Sequence, residues 1–495
     1  MPIMEEPTSL DPQIADSNSE KLVAANCYEG LVRIMADGTI GKGVATDWNI
    51  SDDGLTYTFK LRNNSHWAMF SGHKAVLGEN YEDTFDITVK AEDFKFGIER
   101  TLSEQTGSAD APLFSAVKSI STPDDFTIVF NLSYADDNFL YALTNPGAMP
   151  CDEEFFNLTN GKYGLDAKYL LCNGPFHVSK WTEKTSVKLV KNNEYNGESS
   201  VSPSSVTFYI NNNDSEVADK MNSVTYDVAF LSSSQFSSIE NKKDLNSVAV
   251  QNVTYSFIFN QNDNNYRNKN MRLAFCRSCD TSSLFDSQSD ISKADGIVPP
   301  SCKIGGEDYR NGNAAELLSY DETLAKKNFN DALLELGSSS VETTILCTEQ
   351  YESFVKQMVQ KLQKTLGVKF VSTVKVVSES DLEAAVNDGN YSVAFYPFKA
   401  KSSFAGEIIE GFDQNNIFGY ESDVLSQKIR NIKNNSGSLE GERSAVADAE
   451  NYLVSEAVIM PVFYENSYFV TSKKTSGIYF YSSADNVCFI NAKKS

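Results

Sequence analysis

The chain has 495 residues, 41% of them hydrophobic and 12% aromatic, and carries a formal net charge of −24. A chain this long outgrows a single core, so two or three domains are expected. So acidic a surface repels phosphate backbones and anionic membranes, which argues against a nucleic-acid partner, and no run approaches the roughly 18–20 apolar residues a membrane span needs.

In chain order, the first signals are short. Leu10-Asp11-Pro12 leads into a loop carrying Asp16, Ser17 and Asn18, and Tyr28-Glu29-Gly30-Leu31 follows. Trp48 to Arg62 reads as a β-hairpin. Asp53-Gly54 supplies the turn, and Leu55, Tyr57, Phe59 and Leu61 alternate with polar residues, the period of a half-buried strand. Gly72 to Ile87 reads as a loop. From Lys90 to Leu102, the residues Ala91, Phe94, Ile98 and Leu102 share one helical face, with Glu92 and Asp93 in the first turn where the macrodipole favours them. Phe126 to Leu132 alternates as a second strand after a turn at Pro123-Asp124-Asp125. Asn173-Gly174-Pro175-Phe176, Trp181 and Asn192-Asn193-Glu194-Tyr195 mark a further β-rich region, and residues 226–231 and 255–259 read as short buried strands.

From about residue 266 helix and strand alternate. Met271 to Asp280 reads as a helix. Ser319-Tyr320-Asp321-Glu322 reads as a capping box opening a helix that stops at Gly337. Residues 343–347, 368–377 and 391–396 read as strands, separated by a long helix from Tyr351 to Leu366 and a short one from Asp381 to Val386. This order predicts a parallel sheet with helices on its faces. A helix near Val446 to Ala457 feeds Ile459-Met460-Pro461-Val462-Phe463-Tyr464, after which β pattern returns. An α/β segment flanked by β-rich segments predicts a chain that leaves one lobe, builds the other and comes back.

Catalytic signatures are missing. There is no G-x-S-x-G elbow, no H-E-x-x-H and no phosphate-binding G-x-x-x-x-G-K-[ST]. The three histidines are His66, His73 and His177, and His177 reads as structural. The eight cysteines are too sparse for a disulfide scaffold. Cys276 and Cys279 lack the second pair or histidines of a zinc site and read as buried thiols. Cys151 with Cys172 is a candidate bridge in an oxidising compartment, which sequence alone leaves open. No enzyme, metal or cofactor is expected.

The segments Leu10-Asp11-Pro12, Tyr28-Glu29-Gly30-Leu31, Trp48 to Arg62 and Asn173-Gly174-Pro175-Phe176, in this order and with these gaps, resemble the peptide-type (family 5) extracytoplasmic solute-binding proteins, the oligopeptide and dipeptide receptors of ABC importers. The resemblance implies an α/β, two-lobed, periplasmic-binding-protein-like clamshell of type II with an extra subdomain and a hinge. Lobe I would comprise residues 1–45, 166–262 and 466–495, the inserted subdomain 46–165 and lobe II 263–465. It also implies a monomer that captures a peptide or small-molecule ligand and delivers it to a membrane permease. The protein would be extracytoplasmic, periplasmic or lipid-tethered, with an export signal trimmed ahead of the resembling region. Ligand-binding positions carried over from the family are Asp16, Ser17, Asn18, Phe395, Tyr396, Phe398, Lys399 and Tyr464, with Pro397 to Phe404 as the loop after the peptide-pairing strand. One departure stands out. Free-peptide receptors of the family place an aspartate in that loop for the peptide α-ammonium, and Pro397 takes its place here. Asp16 is then the first substitute to consider, and a non-peptide solute such as an oligosaccharide or metal chelate is the alternative ligand.

Overall fold

The alternation around Tyr57 becomes a strand because every second side chain has a core to enter. Tyr57, Phe59 and Leu61 are buried. They belong to a four-stranded antiparallel sheet of β1 (Ala45–Ile50), β2 (Thr56–Leu61), β3 (Val117–Asp124) and β4 (Thr127–Leu132), in the order β1-β2-β4-β3. Gly54 sits at φ 69°, a left-handed conformation that costs glycine little. Pro123 and Asp124, expected in a turn, end β3 instead. Two helices flank this region in sequence, α1 (Asn18–Cys27) before it and α2 (Ala91–Leu102) within it. Ala91, Phe94 and Ile98 of α2 are buried as expected, but Leu102, in its last turn, is exposed. The stretch read as a loop holds two single-turn helices, Lys74–Leu77 and Tyr81–Thr84. A second antiparallel sheet contains β5 (Phe176–Thr182), β6 (Ser186–Lys191) and β7 (Ser205–Ile210), with Pro2–Ile3 running parallel to β7.

The structure is a computed structural model, and it describes residues 1–495 except 36–38, 137, 198–199, 282–283, 286–289, 400–403, 414–415, 436–437 and 482–485. Two compact units emerge, residues 1–249 with 468–495, and residues 250–467. The chain enters the second unit inside β8 (Leu245–Phe259), 13 residues before the boundary expected from sequence. A 15-residue strand carries no turn signal at its middle, so the crossing leaves no mark in the sequence. Residues 46–165, expected as a subdomain inserted in lobe I and packed on it, lie within the first unit.

The second unit contains α3 (Lys269–Arg277), α4 (Glu322–Leu336), β9 (Val341–Thr348), α5 (Glu352–Leu366), β10 (Phe370–Val377), α6 (Glu379–Asn387), β11 (Val393–Lys399), α7 (Leu439–Ser455) and β12 (Ile459–Ser472), which leads back to the first unit. Its sheet runs β12-β8-β11-β9-β10. β9 is parallel to β10 and β11, as the βαβαβ order requires, while β8 and β11 are antiparallel. Apolar cores cover both faces, one around Phe257, Phe329, Val355 and Phe395, the other around Ile258, Leu346, Ile409 and Leu453. The cap of α4 is Asp321, whose Oδ1 accepts from the Leu324 amide at 2.9 Å, not Ser319. Gly337 closes that helix at φ 62°.

Candidate functional site

In open α/β sheets, ligands collect at the carboxyl ends of the strands, where neighbouring strands part. The second unit has such a place. β9 and β11 pair only at Ile345 with Val393 and at Leu346 with Ala394. β11 then runs on through Phe395, Tyr396, Pro397, Phe398 and Lys399 paired with β8 alone, so its other edge has no strand partner among the described residues. Pro397 is tolerated there because an edge strand does not need every N–H. Beside the strand ends lies a recess of about 760 Å³, lined among others by Thr348, Glu349, Gln350, Lys375, Glu379 and Asp381.

A half-buried carboxylate sits close by. Glu465 of β12 accepts from the Tyr351 hydroxyl at 2.5 Å and from Gln350 Nε2 at 3.4 Å. Burial raises its pKa above the ordinary range, with the Glu379 charge adding to that and the Lys399 ammonium opposing it. Beneath it the Tyr351 and Tyr255 rings lie 4.4 Å apart, and burial raises the pKa of both phenols. Glu465 was not singled out in the sequence. The signal was present as a lone carboxylate directly after six residues with no charge, Ile459 to Tyr464.

The expected ligand residues meet different fates. Strand alternation sends Phe395 to one face and Tyr396 and Phe398 to the other. Phe395, expected at the ligand, is 1% exposed and enclosed by the rings of Tyr255, Phe257, Tyr351, Phe354 and Phe463, so it packs the core. Tyr396 and Phe398 are half-buried neighbours, 5.7 Å between centroids, and Phe398 also stacks on Phe412. Opposite them on β8, Ser256 and Thr254 bury hydroxyls that have no partner among the described residues. Lys399 is exposed. Pro397, Phe398 and Lys399, expected in a loop, extend β11, and Ala400, Lys401, Ser402 and Ser403 lie outside the described residues. Tyr464 is buried, and its hydroxyl accepts from the Asp295 amide at 3.1 Å and donates to the Val298 carbonyl at 3.4 Å, so it anchors a loop.

In the first unit, Ser17 caps α1, its Oγ accepting from the Glu20 amide at 3.2 Å, while Asp16 and Asn18 are exposed beside it. The sequence motifs tie the framework together. Arg100 makes two contacts to Asp11, Nη2 to Oδ2 at 2.6 Å and Nη1 to Oδ1 at 3.2 Å, and also donates to Gln13. Glu29 pairs with Arg62. The Asn173 amide bonds the Glu29 backbone in both directions, at 3.0 and 2.8 Å. This unit has its own smaller cavity, about 230 Å³, bordered by Tyr28, Glu29, Arg33 and Tyr195. Among the described residues there is no cluster of three or more His, Cys, Asp or Glu side chains placed to hold a metal, and no helix long and apolar enough to cross a membrane.

Comparison with known proteins agrees with this geometry. Residues 39–418 match the family model described as bacterial extracellular solute-binding proteins, family 5 Middle. The dipeptide-binding protein DppE of Bacillus subtilis is 24% identical, over 96% of this chain and 88% of its own. The oligopeptide-binding protein OppA of the same species is 26% identical over 74% of this chain and 68% of its own. Among solved structures, Listeria monocytogenes OppA bound to peptide superposes with a TM-score of 0.77 at 21% identity, covering 100% of this chain and 98% of that one. A dipeptide-binding protein from a Pseudoalteromonas species in complex with Met-Leu gives 0.78 at 17% identity, covering 100% and 99%. The fold is thus that of these binding proteins along the whole chain.

Proposed function

The chain belongs to family 5 of the bacterial extracellular solute-binding proteins, and from that membership we propose that it is a peptide receptor, capturing oligopeptides or dipeptides outside the cytoplasm and handing them to the membrane permease of an ABC importer. The observation that carries the reading is the edge of β11 left without a strand partner among the described residues, with a recess at the ends of the neighbouring β9 and β10. An extended peptide adds to such an edge through main-chain hydrogen bonds, which are blind to side chains, while a roomy recess tolerates many of them. No bond in the ligand is broken, and the protein acts as a monomer.

Glu465 takes the role of the carboxylate missing at Pro397. A half-buried acid whose pKa is raised by desolvation gains most from a cation that arrives with its own hydrogen bonds, and a peptide α-ammonium is such a group. Lys399, already near it, marks where positive charge is favourable. Of the three rings that would suit a saccharide, Tyr396, Phe398 and Tyr464, two are engaged within the protein, Tyr464 hydrogen-bonded to its loop and Phe398 stacked on Phe412, which supports a peptide over a sugar.

Purified protein should release peptides on denaturation, identifiable by mass spectrometry, and peptide pools should raise its melting temperature. Absence of a shift with every peptide pool, together with a shift from a glycan pool, would overturn the reading in favour of the alternative.

A further inference from the structure

The sequence offered Cys151 and Cys172 as a bridge, but the structure brings a different pair together. Cys27 ends α1, and Cys172 lies on the approach to β5. The two segments are locked by their backbones. Between them the Gly174 amide donates to the Cys27 carbonyl at 2.9 Å, while the Cys172 carbonyl is held separately, accepting from the Ala68 amide at 2.8 Å. A Cβ added to Gly174 would stand 2.6 Å from the Cys27 carbonyl carbon, so the chains are in direct contact and only glycine fits. Asn173, between Cys172 and Gly174, holds the Glu29 backbone with both ends of its amide. Both cysteines are buried, at 0% and 1% exposure, and beside burial the neighbouring Cys172 thiol raises the pKa of the Cys27 thiol. Cys151 is engaged elsewhere, with Arg100 Nη1 at 3.5 Å and the Asp152 carbonyl at 4.0 Å.

We infer that Cys27 and Cys172 form a disulfide in the exported protein, stapling the end of α1 to the segment that leads into β5. The inference rests on the extracytoplasmic placement given above, because only there does a disulfide persist. The oxidant is a second disulfide, from a small thiol or a thiol–disulfide oxidoreductase. One cysteine thiolate attacks it and releases one thiol. The other cysteine then displaces the second thiol from the mixed disulfide, so two electrons and both protons leave on the two released thiols. Burial raises the pKa of the Cys27 thiol, which keeps it protonated and slow once folded. The bond therefore forms while the chain folds, and the native state then shields it.

The test is refolding of the full chain from denaturant in a reduced/oxidised glutathione buffer. Thiol counting in denaturant should give six free thiols of the eight cysteines, and a non-reduced digest should contain the Cys27 peptide joined to the Cys172 peptide. The Cys151→Ala variant should keep that link and Cys172→Ala should lose it. The oxidised protein should melt roughly 5 °C above the reduced one, with no difference in Cys172→Ala. Eight free thiols, or a bond through any other cysteine, would overturn the inference. Thiol counts are blind to ligand, so a protein that binds no peptide yet carries the link refutes the receptor reading and leaves this one standing.

Discussion

Glu465 is the residue on which peptide recognition turns. Its half-buried carboxylate sits among Tyr351, Gln350 and the Glu379 charge, and an amide in its place keeps the shape and the Tyr351 hydrogen bond but loses the charge. Glu465→Gln should therefore weaken peptides with a free α-amine by roughly 10–100-fold, the worth of one charge-assisted hydrogen bond, and leave N-acetylated peptides unchanged. Isothermal titration with matched free and acetylated peptides reads this directly, and equal losses for both would place the ammonium elsewhere. Asp11 is the contrasting case, a residue tied into the framework. Its carboxylate answers the Arg100 guanidinium, whose side chain is only 11% exposed. Asp11→Ala leaves that cation buried without its partner, which costs about 3–5 kcal/mol. Urea denaturation should show the unfolding free energy falling by that amount, as a lower midpoint at an unchanged slope.

At the scale of elements, the open edge of β11 makes a prediction that side chains do not. A ligand strand pairs through alternate N–H groups, so methylating the backbone nitrogen at alternate positions of a bound peptide should abolish affinity in one register and spare it in the other. A competition series read by thermal shift separates the two, and uniform tolerance of methylation would rule out strand addition. The same scale explains what the sequence could reveal. Local pattern was enough for the β2 alternation, the α2 face, the Gly337 stop and the strand–helix order from 341 to 399, because each depends on neighbours within a turn or a strand. The motifs that carried the family resemblance turned out to be ties in the framework, Asp11 to Arg100 and Glu29 to Arg62 and Asn173. The site was harder to read. Its open edge exists because β9 and β11 pair at only two positions, and pairing register is decided by packing far away in the chain. Phe395 and Tyr396 looked equivalent as adjacent aromatics, and only the strand's orientation in the sheet could send one into the core and leave the other half-buried.

For the molecule as a whole, acidity and burial set the response to pH. With a net charge of −24, protonation of carboxylates relieves self-repulsion as pH falls. Buried Asp93 and Asp110, whose pKa values are raised by desolvation, add stability in the same direction. His73 works against both. Its ring is 0% exposed, packed by Phe70 at 4.3 Å and Phe155 at 5.5 Å, with Nε2 on the Leu170 carbonyl and Nδ1 without a partner among the described residues. Burial lowers its pKa to about 4, and burial lowers that of His177 as well. The unfolded chain then binds a proton at its ordinary pKa near 6.5 that the folded ring refuses, so His73 subtracts stability as pH falls from about 6.5 to about 4 and no further below that. The full effect is of order 3 kcal/mol. Because the carboxylates act alike in any variant, His73→Phe isolates the term. The difference in unfolding free energy between wild type and variant should be flat above pH 7 and swing against the wild type across pH 6.5–4. A difference constant with pH would mean that the ring takes up its proton inside the folded unit, and that the polar face of Leu170 is enough to hold it there.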